Sequence, residues 1–99
     1  MPRRLYLIAG ILAGLVVMSA TADAKTCRSE FVAGHGHPRS NVGHAQASAI
    51  RAWRAWAEIE YGSRYKSWTR AEDKSYDCHP APGLGGKAVC TVRARPCRR

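Results

Sequence analysis

The stretch VGHAQASAIRAWRAWAEIEY, running from Val42 to Tyr61, decides the fold. Val42, Gln46, Ala49, Ile50, Trp53, Ala57 and Tyr61 recur at steps of three and four, which aligns them along one stripe of a helix. His44, Arg51, Arg54 and Glu58 fall off that stripe. Alanines at positions 45, 47, 49, 52, 55 and 57 add helix propensity at little side-chain entropy cost. Arg54 and Glu58 stand at i,i+4 and give modest surface support. Ser40-Asn41 supplies an N-cap and Gly62 a C-terminal stop. At 1.5 Å per residue the helix spans roughly 30 Å.

Outward from the helix, the pattern turns to strands. Cys27 to Ala33 reads as a short strand that Gly34-His35-Gly36-His37-Pro38 breaks. Ser63 to Asp73 is polar, with Tyr65, Trp68 and Ala71 at spacing three, and suits one or two helical turns folding back or an ordered loop. Lys74 to His79 alternates as a strand. Pro80 to Gly86 is a turn by composition. In Lys87 to Arg95, Ala88, Cys90, Val92 and Ala94 share one face, while Lys87, Val89, Thr91, Arg93 and Arg95 share the other. Pro96 ends that strand. The order is β-α-β-β. The simplest solution is an α+β domain: a small antiparallel sheet with one long helix packed on one face, Ile50 and Trp53 pressing on Cys78, Cys90 and Val92.

At the amino terminus, Arg3 and Arg4 precede an uncharged run from Leu5 to Ala22, and Ala22-Asp23-Ala24 offers small residues before Lys25. That is the pattern of a cleaved signal peptide over residues 1–24, leaving a single domain at 25–99 and a secreted or periplasmic location. An uncleaved anchor helix is the competing reading. Two of the 16 basic and one of the seven acidic residues precede Lys25, so the remaining 75 residues carry net charge +8. So short a chain excludes a two-domain enzyme or a large cofactor fold, and it buries little apolar surface. Disulfides compensate in an oxidising compartment, each adding about 2–4 kcal/mol. Cys27, Cys78, Cys90 and Cys97 allow three pairings. A hairpin centred near Leu84 sets Cys78 opposite Cys90, equidistant from the turn, and leaves Cys27 for Cys97.

Ala49-Ile50-x-x-Trp53, Tyr61-Gly62-x-x-Tyr65-x-x-Trp68-x-x-Ala71, Cys78, Cys90 and Ala94-Arg95-Pro96-Cys97 together resemble a group of small secreted alphaproteobacterial proteins of unknown function. The resemblance covers about half the chain. It implies an export signal and a helix-plus-hairpin layout, and no activity. Ser63-Arg64-Tyr65-Lys66-Ser67-Trp68 is similar to a basic-aromatic run in small lectin-like surface antigens of the same bacteria. That likeness implies carbohydrate binding, with Tyr65 and Trp68 as the stacking rings.

Three kinds of site are worth weighing. Histidines 35, 37 and 44 offer imidazoles for a periplasmic metal-binding module, although two ligands flanking a glycine with no nearby carboxylate fit an exposed glycine-rich loop better. Cations spread through Arg51, Arg54, Arg64, Lys66, Arg70 and Lys74 to Lys87, Arg93, Arg95, Arg98 and Arg99, with no acid between Lys87 and Arg99. Those last five residues form the candidate anion-binding patch, since the arginine fork suits phosphate and carboxylate. Export disfavours nucleic acid as the partner. Lipopolysaccharide, peptidoglycan, anionic lipid or another envelope protein takes its place. Catalysis has no support: Glu58 and Glu60 point apart on a helix, Cys78-His79 are adjacent, and no nucleophile, zinc or phosphate-loop motif occurs. No cofactor is implied. The sequence thus points to a non-catalytic, cationic envelope-binding protein.

Overall fold

Asn41 starts the helix by geometry as well as by residue type. Its backbone is extended, and its Oδ1 accepts from the His44 N–H at 2.9 Å. The helix, α1, runs Val42–Tyr61 and ends where the Gly62 N–H reaches the Glu58 carbonyl at 2.8 Å. Gly62 has φ of 101°, a conformation glycine adopts freely, and the chain reverses there. A computed structural model describes residues 25–99; the signal segment expected at 1–24 lies outside the described residues.

Around α1 stand five strands: β1 (Thr26–Cys27), β2 (Val32–His35), β3 (Glu72–Pro80), β4 (Ala88–Arg95) and β5 (Cys97–Arg98). Strands β2, β4 and β3 form an antiparallel sheet in that order, and β1 pairs with β5 in a separate ladder. The protein is an α+β domain with one helix packed against small antiparallel sheets. In the β3–β4 hairpin Cys78 faces Cys90, as a turn centred near Leu84 requires, and the two are bonded. Cys27 and Cys97 face each other across β1 and β5 and form the second disulfide.

The amino-terminal strand departs from the sequence reading. Cys27 to Ala33 is not one strand. It divides into β1 and β2, and β2 continues through Gly34 and His35, which were expected to break it. The cause is packing. Gly34 and Gly36 face α1, and a Cβ on Gly36 would lie 2.7 Å from the Ala49 nitrogen. The glycines are the seat on which the helix rests. The buried helix residues are accordingly Ala45, Ser48, Ala49, Trp53 and Ala57, so the stripe is turned toward the smallest side chains and Val42 is left exposed.

Trp53 fills the centre of the core, against Val32, Ala71, Cys90, Val92 and Ala94. Its Nε1–H donates to the Ala94 carbonyl at 3.3 Å. Trp68 meets it edge to face with ring centroids 5.0 Å apart, and Tyr76 packs on Trp68 in the same manner. Ser63–Tyr65 is a single 3₁₀ turn. Tyr65 and Ala71 are buried and Trp68 is half-buried, so spacing three here is the inward side of a folded-back turn.

Candidate functional site

The five cations of the carboxy-terminal patch do not share one place. Lys87 sits in the hairpin turn, where its carbonyl accepts from the Ala81 N–H at 2.8 Å. Arg95 is at the other end of β4, opposite Glu72. Eight residue steps along the strand separate the two, about 26 Å. The stretch from Lys87 to Arg99 contains no acid, but β3 supplies acids from alongside. Arg95 Nη1 lies 2.9 Å from Asp73 Oδ2 and 4.0 Å from Glu72 Oε1. Asp73 reaches it from a bulge between Glu72 and Ser75, with a left-handed backbone at φ 56°. Arg93 stacks on the Phe31 ring at 4.6 Å. Arg99 is exposed at the chain end.

Arg98 works locally. Its Nε–H donates to the Tyr65 hydroxyl at 3.0 Å, and its guanidinium stands 5.9 Å from the Tyr65 ring. That hydrogen bond, assisted by Arg28, holds the Tyr65 phenol below its ordinary value against the opposing effect of burial. Tyr61, whose ring lies 5.8 Å away, is shifted the other way. Burial raises it, and the Glu30 carboxylate, which accepts its O–H at 3.2 Å, raises it further. Tyr65 is 9% exposed, so its ring is covered rather than offered for stacking.

The histidines do not gather into a three-ligand cluster among the described residues, although His35 and His37 line one groove. His35 lies on the open sheet face with Nδ1 3.1 Å from the Thr91 hydroxyl. His37 donates its backbone N–H to Ser48 Oγ at 2.9 Å, and His44 stands beside the Asn41 cap. Among the described residues, three possible metal ligands come within 4.8 Å of one another only at Cys27, Glu72 and Cys97, whose sulfurs are joined in the disulfide.

A different set of cations does converge. The reversal at Gly62 carries the Ser63–Arg70 segment back along α1, and Arg54 from the helix meets Arg64, Lys66 and Arg70 around an open groove of about 340 Å³. Ser63, Ser67 and Thr69 add hydroxyls to its lining, and Trp68 adds an indole. The segment is pinned by its own backbone: Tyr65 N–H to Gly62 carbonyl at 3.0 Å, and Ala71 N–H to the Trp68 carbonyl at 3.1 Å. The Ser67 hydroxyl also accepts from the Arg70 N–H at 3.3 Å. With Tyr65 and Ala71 turned inward, Lys66 and Arg70 between them are half-exposed, and Arg54 and Arg64 are exposed. Glu58 approaches Lys66 at 3.7 Å, while Arg54, Arg64 and Arg70 have no ion-pair partner among the described residues.

Sequence reading names these cations but does not assemble them. The signal that could have done so is the pairing of Tyr65/Trp68/Ala71 spacing with the Gly62 stop, which folds the basic run onto the flank of the helix bearing Arg54. Compared with known proteins, the chain matches no family model, no curated protein and no solved structure.

Proposed function

We propose that this is an exported, non-catalytic binding protein for an anionic component of the cell envelope, with the Arg54–Arg64–Lys66–Arg70 groove as its site. One observation carries the reading: four cations line one groove and a single carboxylate, Glu58, answers them. Guanidinium groups without a counter-ion are poised for the phosphates of lipopolysaccharide or anionic lipid, or the carboxylates of peptidoglycan. The hydroxyls of Ser63, Ser67 and Thr69 suit the same oxygen-rich ligands. Two disulfides accord with an oxidising compartment.

Binding to lipopolysaccharide and to anionic vesicles, measured across ionic strength, tests the reading. Binding is expected at low salt, to fall steeply as salt rises, and to weaken about tenfold or more in Arg54→Gln/Arg64→Gln/Arg70→Gln. Unchanged binding in that variant removes the groove as the site. A second reading, carbohydrate binding, is favoured by Trp68 in the groove wall beside three hydroxyl residues. Binding that is insensitive to salt and lost on Trp68→Ala, with the fold retained, would select it.

A further inference from the structure

Strand β2 is an edge of the sheet, since the order is β2-β4-β3. The Gly36 N–H donates to the Cys90 carbonyl at 3.0 Å, which sets the phase of the ladder. Val32, Gly34 and Gly36 therefore turn their backbone groups toward β4, and Ala33 and His35 turn theirs to the open side. No loop or side-chain hydrogen bond among the described residues reaches those outward groups.

Beside the edge runs a groove walled by α1. Its one half is lined by Phe31, Trp56 and Glu60, its other half by His37, Arg39 and Arg51, and His35 is common to both. Trp56 is 52% exposed and Phe31 is 41% exposed, although each is large and apolar. Ala52, Ala55, Trp56 and Ile59 make a second apolar strip on the helix, apart from the one that faces the core. The two halves differ in charge. Arg39 and Arg51 stand at one end and Glu60 at the other, and none of the three has an ion-pair partner among the described residues.

We propose that this edge receives a second copy of the chain, with β2 pairing antiparallel to its counterpart about a two-fold axis normal to the sheet. Antiparallel pairing centred on Gly34 exchanges the ends of the groove. The cationic half of each copy then lies on the acidic, aromatic half of the other. Arg39 and Arg51 meet Glu60 of the second copy, and their guanidinium groups meet its Trp56 face. Ala33 pairs with His35 of the second copy and the reverse, exchanging the backbone bonds that the edge leaves open. The small side chains of Ala33, Ala52 and Ala55 allow that approach. An unrelated extended peptide satisfies the same backbone groups but does not return these reciprocal charges. The outcome is a continuous sheet of twice the three strands, with both helices on one side. An open, apolar-flanked edge strand is covered as a result.

Sedimentation equilibrium of the purified, disulfide-bonded protein tests the proposal. A reversible dimer is expected. Ala33→Pro, which removes an edge N–H, and Glu60→Arg each raise the dissociation constant about tenfold or more. Glu60 is exposed on α1, so its replacement leaves the fold intact, as a circular-dichroism melt will show. Adding Arg51→Glu to Glu60→Arg restores most of the affinity, because the exchanged charges still meet. A monomer at every concentration up to the millimolar range overturns the proposal. So does a dimer that neither substitution weakens, or a double variant no tighter than Glu60→Arg alone.

Discussion

A methyl group placed on Gly34 would lie 2.5 Å from the backbone nitrogen of Trp53. Strand and helix thus meet backbone to backbone, without the layer of side chains that normally separates them. Gly34→Ala must push α1 off the sheet or unseat Trp53. Overpacking costs about 1–3 kcal/mol, and a contact with rigid backbone belongs at the upper end. A fall in melting temperature of roughly 12–20 °C is expected for a domain of this size. A variant that melts within a few degrees of the parent would show that the helix has room to move.

Trp53 is the largest fully buried side chain and the one around which the other rings are arranged. Trp53→Ala removes about 3–5 kcal/mol, comparable to what so small a core supplies. Loss of cooperative unfolding by circular dichroism is the expected result. Trp53→Phe retains most of the volume but leaves the Ala94 carbonyl without its indole donor, so an intermediate loss of stability is expected.

The two disulfides close loops of different size, with sequence separations of 70 for Cys27–Cys97 and 12 for Cys78–Cys90. In the chain-entropy account the longer loop is worth about 4 kcal/mol and the shorter about 3 kcal/mol. Cys27→Ala/Cys97→Ala is therefore expected to lower the urea midpoint more than Cys78→Ala/Cys90→Ala. The reverse order would mean that bonding within the hairpin matters for more than loop closure.

Tyr61 and Tyr65 are neighbours that titrate on opposite sides of 10.0, Tyr65 below it and Tyr61 above. Phenolate absorbance against pH, compared between Tyr61→Phe and Tyr65→Phe, separates the two steps. Arg98→Gln removes the donor that holds Tyr65 low and is expected to move that step upward. The contributions to stability have opposite signs. That of Tyr65 is present above 10.0 and lost as pH falls through its lowered value. That of Tyr61 is present below 10.0 and lost as pH rises through its raised value.

The limits of α1 and the Cys78–Cys90 register were legible in the chain, because both are local. A cap at Asn41, a stop at Gly62 and a turn centred near Leu84 each act within a few residues, and the second disulfide follows once the first is placed. Export, if the first 24 residues direct it, is likewise written in a contiguous run.

What the residues alone left open depends on which backbones touch. Gly34-His35-Gly36-His37 has the composition of a loop. Its first half, Gly34 and His35, became strand because only glycine admits α1 at that distance, and the approach turned the helix toward Ala45 and Ala49. Likewise, the row of arginines from Arg93 to Arg99 appears unopposed in sequence. Sheet register set Glu72 and Asp73 of β3 beside Arg95, while the reversal at Gly62 gathered Arg54 with Arg64, Lys66 and Arg70. Caps, period and turns are properties of neighbours along the chain, so the sequence alone determined α1 and the hairpin. Charge pairing and close approach join residues far apart in the chain, as Asp73 to Arg95 and Gly34 to Trp53 do across gaps of 22 and 19, and only the tertiary packing decided them.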